Sequence, residues 1–218
     1  MEFHLQDMSR PKRVGASLSS WGERRSVSCE GDLVQGGSSM ARLEVGDILP
    51  DFRYETPFER GLFMSSTACK ANKTALVFLR YYGCTLCQYD MHEIADHYQR
   101  ILEGGSQLLV VLQSEPKKLA QQLTPDAFPF SIVCDPQQEL YHRFEIMPAR
   151  SKESMLDSAT LRKIEKARQL FSHGEYEGEE LQLPAVFVFD GRLSISYVHY
   201  GKTAGDIPGT DELIALLT

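Results

Sequence analysis

No stretch of the 218-residue chain approaches the run of roughly 20 apolar residues that a membrane-spanning helix requires. The N-terminal segment MEFHLQDMSRPKRV also lacks the apolar run, roughly 7 to 15 residues long, of a secretory signal, so a cytoplasmic protein is expected. A basic surplus is missing as well. The formal net charge is -7, and phosphate-rich partners demand a basic face, so neither nucleic acid nor an anionic membrane surface is an expected partner. Nor is there a disulfide framework: the five cysteines, Cys29, Cys69, Cys84, Cys87 and Cys134, form an odd set at irregular spacings.

At 42% hydrophobic residues the chain can bury one substantial core and hardly two. Residues 1–39 are rich in Ser and Gly and show neither helical nor strand periodicity, which reads as a disordered N-terminal extension of a domain over 40–218. Apolar spacing begins directly after Met40, so a start codon assigned too far upstream is one explanation of the tail. Native peptides from residues 2–39 in mass spectrometry would eliminate it.

Within the domain, FRYETPFERGLFMSST (52–67) reads as a small hairpin around Gly61, and ALVFLRY (75–81) as a central strand buried on both faces. The apolar positions Leu86, Met91, Ile94, Ala95, Tyr98, Ile101 and Leu102 recur at three- and four-residue steps, predicting a helix that Gly104-Gly105 closes. The alternation repeats with SQLLVVLQ as strand, PKKLAQQL as helix, FSIVCD as strand and PQQELYHRF as helix, which predicts a mostly parallel sheet. Cys134, inside FSIVCD, reads as a small core side chain. Residues 148–180 interrupt the rhythm with a charged, weakly amphipathic insertion; a solvated surface helix is the simpler reading, a cover over the active-site rim or a docking face the other. PAVFVFD and RLSISYVHY then form a hairpin through Asp190-Gly191, followed by the helix DELIALL. The fold class predicted is α/β, a thioredoxin-like central mixed sheet flanked by helices.

The chemistry is expected where ALVFLRY runs into Gly83-Cys84-Thr85-Leu86-Cys87. Two cysteines separated by two residues at a helix start lie within disulfide reach, and the helix N-terminus stabilises a thiolate at the first of them. Cys84 is the expected attacking group and Cys87 its partner. Zinc is the competing reading, but it needs two further ligands, and His92 and His97 lie deeper in the same helix on changing faces. A buried structural pair of thiols is another. Pro184 precedes the strand AVFVFD, either as an ordinary strand entry or as the cis-proline that thioredoxin-like folds set against their cysteines.

The stretches VGDILPDF, FLRYYGCTLC and LPAVFVFDGRLSISYVHYG resemble the peroxiredoxin-like proteins of the alkyl hydroperoxide reductase and thiol-specific antioxidant superfamily. The resemblance covers residues 44–218 apart from the insertion, and it implies that the N-terminal hairpin is of the peroxiredoxin type. The family's proline, threonine and peroxidatic cysteine fall here on Arg80, Cys84 and Cys87, so two of the three positions differ. That departure moves the site toward a CxxC pair, although thioredoxin's tryptophan and intervening proline are replaced by Gly83 and by Thr85-Leu86.

What the resemblance implies is a thiol-dependent oxidoreductase that reduces peroxides or disulfides through Cys84 and Cys87, is recycled by a thioredoxin-like reductant, and needs no bound cofactor or metal. Arg80, Tyr82, Thr85 and Pro184 are the candidate substrate pocket; Arg80 would lower a neighbouring thiol pKa if its side chain points inward. Family members often pair through sheet or helix edges, so a homodimer is an expectation without a chosen interface. The alternative is a redox-inactive thioredoxin-fold protein that binds a partner through its surface.

Overall fold

The computed structural model describes residues 42–218, and the expectation for residues 1–39 lies outside them. The N-terminal hairpin is formed by β1 (Arg53–Tyr54) and β2 (Leu62–Phe63), which pair antiparallel across Gly61 with its positive φ of 72°. The end of that stretch becomes a short helix, α1 (Met64–Ala68), whose start is tied down by Asp51: its carboxylate accepts from the Ser65 amide at 2.9 Å and the Ser65 hydroxyl at 2.7 Å.

The main elements follow as β3 (Lys73–Phe78), α2 (Thr85–Glu103), β4 (Gln107–Leu112), α3 (Pro116–Gln122), β5 (Ser131–Cys134), α4 (Glu139–Arg143), α5 (Ser158–Leu170), β6 (Ala185–Asp190), β7 (Ile195–Tyr200) and α6 (Thr210–Leu217). The sheet runs β5-β4-β3-β6-β7. Its β3–β4 and β4–β5 pairs are parallel, and β3–β6 and β6–β7 antiparallel; this is the mixed thioredoxin-like sheet of the fold class expected, and not the mostly parallel one that the alternation alone predicts, because the C-terminal hairpin joins it at the central strand. β3 sits at the centre, and its alternating side chains feed two cores: Ala75 and Val77 face α2, while Leu76 and Phe78 face α4. Each fully buried Leu, Val or Phe contributes roughly 1.5–3 kcal/mol. In the second core Phe78 meets Tyr141 edge-on at 5.1 Å and Phe187 at 5.6 Å.

Two boundaries differ from the periodicity. The strand ends at Phe78, three residues early, because its pairing with β6 stops at Ala185, although the Leu79 amide still donates to the Val111 carbonyl at 3.0 Å and the Gln113 amide to the Arg80 carbonyl at 2.8 Å. α4 starts at Glu139 and not at Pro136, since Gln138 adopts a left-handed φ of 58°. Asp135 caps it instead, accepting from the Glu139 and Leu140 amides at 2.9 and 2.8 Å. Cys134 is buried in the first core, as its apolar setting predicts.

The insertion does more than sit in solvent. α5 packs against α2, and its Lys163 pairs at 2.5 Å with Asp90, a carboxylate that is only 4% exposed. The chain after α5 crosses back over the cysteine turn before entering β6. Among the described residues no helix is long and apolar enough to cross a membrane.

Candidate active site

Cys84 is the N-cap of α2. Its extended backbone (φ -73°, ψ 117°) lets the sulfur accept a hydrogen bond from the Cys87 amide at 3.3 Å, using one of the donors that a helix start leaves unpaired. Cys87 stands three residues on, and its sulfur accepts from the Arg80 amide at 3.4 Å. Both are free thiols and both are buried, at 0% and 4% exposure. The two cysteines are thus joined through the first turn of α2 by an amide-to-sulfur hydrogen bond, both in reduced form.

Arg80 points inward. One guanidinium nitrogen lies 3.0 Å from the Cys84 sulfur, and the other donates to the Glu180 carbonyl at 2.8 Å. This decides how the two thiols differ. Burial raises the cost of ionising Cys84, but the Cys87 thiol, the Arg80 charge and the Cys87 amide together outweigh it and bring the pKa down to about 6. Burial pushes Cys87 in the other direction, and the proximity of Cys84 adds to the rise, so Cys87 stays protonated. One thiolate and one thiol sit side by side.

The remaining candidates fall around them. Thr85 is buried in the first turn of α2, and Tyr82 is half-buried, its amide donating to the Ser114 hydroxyl at 2.9 Å. Tyr82 and Gly83 line a polar cavity of about 330 Å³ with Gln88, Gln122, Ser172 and Glu175. Pro184 does not take the expected form: no cis peptide bond occurs among the described residues, and Pro184 is an ordinary buried entry to β6, its carbonyl accepting from Gly201 at 2.9 Å. Among the described residues no group of three or more His, Cys, Asp or Glu is gathered as a metal site would require.

The insertion, weighed in the sequence as a solvated helix or as a cover over the site, reaches the turn through the segment after its helix. Residues 172–180 run as a strap without helix or strand, bound to the turn at several points. The Gly174 amide donates to the Gly83 carbonyl at 2.8 Å, and the Gln88 side chain donates to the Ser172 carbonyl at 3.3 Å. His173 Nε2 lies 3.2 Å from the Tyr81 hydroxyl, and the His173 and Tyr176 rings are 4.3 Å apart. Farther along, the Ser114 hydroxyl donates to the Glu177 carboxylate at 2.5 Å and the Glu179 amide to Gln113 Oε1 at 2.6 Å. Glycine is required where the backbones meet: a Cβ on residue 83 would stand 2.3 Å from the Glu175 carbonyl oxygen. The glycines at 83 and 174 were the only trace of this contact in the sequence.

A thiol of lowered pKa at a helix N-cap, held by a half-buried arginine beyond the carboxyl end of a central strand, is a site suited to sulfur nucleophilicity. The model of the AhpC/TSA family matches residues 45–198. The chain belongs to this family. It is a peroxiredoxin-like protein of the thioredoxin fold, and by that membership a thiol-dependent oxidoreductase. Its fold is similar to that of the peroxidoxin BcpB from Mycobacterium tuberculosis, with a TM-score of 0.58 at 13% identity over 81% of this chain and 97% of that one. The reduced 2-Cys peroxiredoxin of Plasmodium vivax gives 0.55 at 15% identity, covering 79% of each chain. A thiol peroxidase from Chromobacterium violaceum gives 0.51 at 16% identity, over 81% of this chain and 87% of the other. No curated protein matches the chain in sequence.

Proposed function

We propose that the protein is a cytoplasmic thiol peroxidase in which Cys84 attacks the peroxide and Cys87 resolves the product. The observation that carries this reading is the asymmetry of the pair: Arg80 holds Cys84 as thiolate while Cys87 keeps its proton. In the first step the Cys84 thiolate attacks one oxygen of ROOH, the O–O bond breaks, and the alkoxide leaves with a proton from solvent as ROH. Cys84 is then a sulfenic acid, the sulfur having been oxidised by two electrons. In the second step the Cys87 sulfur displaces the sulfenic oxygen, which leaves as water with the thiol proton, and the Cys84–Cys87 disulfide forms. An external dithiol, in the role of a thioredoxin-like reductant, exchanges with that disulfide and restores both thiols.

Arg80 has a second part in this scheme. Its charge favours the thiolate and then the developing negative charge on the departing oxygen, provided the guanidinium reaches both. Thr85, Tyr82 and Pro184 are proposed to wall the approach, Pro184 through packing in its trans form. Burial of both sulfurs favours one competitor, a redox-inactive binding protein whose cysteines are structural.

Peroxide consumption by the reduced protein, with the Cys84–Cys87 disulfide followed by mass spectrometry in the same samples, separates the two. Stoichiometric consumption with disulfide formation supports the peroxidase. Exchange with a protein disulfide but negligible peroxide consumption would make it a disulfide reductase, and no disulfide with either oxidant would leave the binding protein.

A further inference from the structure

We propose that the strap at residues 172–180 is a gate over Cys84 that sets substrate size, its small local openings sufficing for hydroperoxides while disulfides of folded proteins need its full displacement. The proposal deepens the peroxidase reading and rests on it for the identity of the oxidant.

The argument starts from exposure. Cys84 is at 0% exposure although it sits at the N-cap of a helix, a position that is ordinarily reached from solvent. The strap meets the turn on both sides of that sulfur: at Arg80 and Tyr81 before it, and at Gly83 and Gln88 around it. The backbone contact between Gly83 and Gly174 leaves no room even for a methyl group. A disulfide in a folded protein must bring two Cβ atoms and their flanking backbone to the attacking sulfur, in line with it. The strap, bound to the residues that flank Cys84, stands in the way of a body of that size. Hydrogen peroxide is little larger than water; the cavity of about 330 Å³ at Tyr82 and Gly83 brings it to the turn but is not lined by Cys84, so a small opening of the strap is enough for it to reach the sulfur.

The strap can also move. It has no helix or strand of its own, most of its residues are exposed, and its anchors are chiefly hydrogen bonds and surface ion pairs to side chains, the kind of segment that opens locally. Its two ends are firm by comparison: α5 is held by the Lys163–Asp90 pair, and Gln182, only 1% exposed, donates to the Ile146 carbonyl at 2.6 Å. A tethered segment of this kind gates access without leaving the protein.

The experiment compares alkylation of Cys84 by iodoacetamide and by fluorescein maleimide in the full chain, each rate divided by that of free glutathione and the modified residue identified by mass spectrometry. Gly174→Val forces the strap off the turn, and His173→Ala with Tyr176→Ala loosens it without a clash, so that one survives if the other misfolds. Wild type is expected to favour the small reagent strongly, and the preference should fall about tenfold or more in the variants as the open form becomes more populated. Equal normalised rates for the two reagents in wild type, or a preference unmoved in both folded variants, would overturn the proposal. Alkylation needs a thiolate and no peroxide turnover, so this outcome is independent of whether the protein proves to be a peroxidase.

Discussion

The Arg80 guanidinium lies 3.0 Å from the Cys84 sulfur and 2.8 Å from the Glu180 carbonyl, so one side chain joins the nucleophile to the strap above it. Removing the charge should undo the depression of the thiol. The thiolate fraction rises with pH through the pKa, and with a value of about 6 the wild-type Cys84 is mostly ionised at neutral pH. Arg80→Ala is expected to move the midpoint up toward the ordinary 9.0, cutting the alkylation rate at pH 7 by about tenfold or more. A pH profile of Cys84 alkylation in both proteins measures it; coincident profiles would remove Arg80 from the mechanism.

The two thiols should fail differently. Cys84→Ser is expected to abolish peroxide consumption, whereas Cys87→Ser should still react once and stop as a Cys84 sulfenic acid, detectable with a dimedone probe. A sulfenic acid on Cys87 in the Cys84→Ser protein would reverse the roles and return the site to the family's own register.

Asp90 is a buried carboxylate whose Oδ2 finds no hydrogen-bond partner among the described residues, while Oδ1 is held by Lys163 from α5. Burial raises its pKa to about 6 against the pull of Lys163, with Cys84 and Glu93 adding to the rise. A raised carboxyl pKa binds a proton more tightly in the folded state than in the unfolded one. The resulting stability is full below the ordinary 3.8 and is lost as the pH climbs through about 6. Lys163→Met should raise the Asp90 pKa further, extend that loss to higher pH and cost roughly 3–5 kcal/mol where Asp90 is ionised, because the buried charge has lost its partner. Urea unfolding midpoints across this range test it, and the double variant with Asp90→Leu should recover most of the loss.

Beneath the site the Tyr141 hydroxyl donates to the Leu79 carbonyl at 2.5 Å, close to the Val111 carbonyl at 3.0 Å. Leu79 is the first residue to leave β3 on the way to Arg80. Tyr141→Phe is expected to lower stability by roughly 1–3 kcal/mol, the cost of a buried carbonyl left without its donor. An unchanged denaturation midpoint would show that water replaces the hydroxyl.

The sequence made the sheet and the cysteine turn legible for a physical reason. Runs such as AVFVFD and the stepped apolar positions from Leu86 to Leu102 encode burial locally, and Cys84 and Cys87 carry their spacing with them. The environment of the thiols was not legible in the same way. The inward turn of Arg80 is anchored at Glu180, and the turn around Cys84 is bound by a strap whose residues, HGEYEGEE, look solvated when read alone. Asp90 falls three residues after Cys87, on the same side of α2, but only Lys163 of the insertion reveals how it is buried with a charge. The cis form expected at Pro184 came from the general habit of the fold, with nothing local to require it.

The bond from Arg80 to Glu180 spans 100 positions of the chain. At a synthesis rate of roughly 5–20 residues per second, the strap emerges from the ribosome about 5–20 s after the cysteine turn. During that interval Cys84 has neither its cover nor the second anchor of its arginine. The nascent protein therefore passes through a stage in which the cysteine turn has been made but the segment that binds it has not.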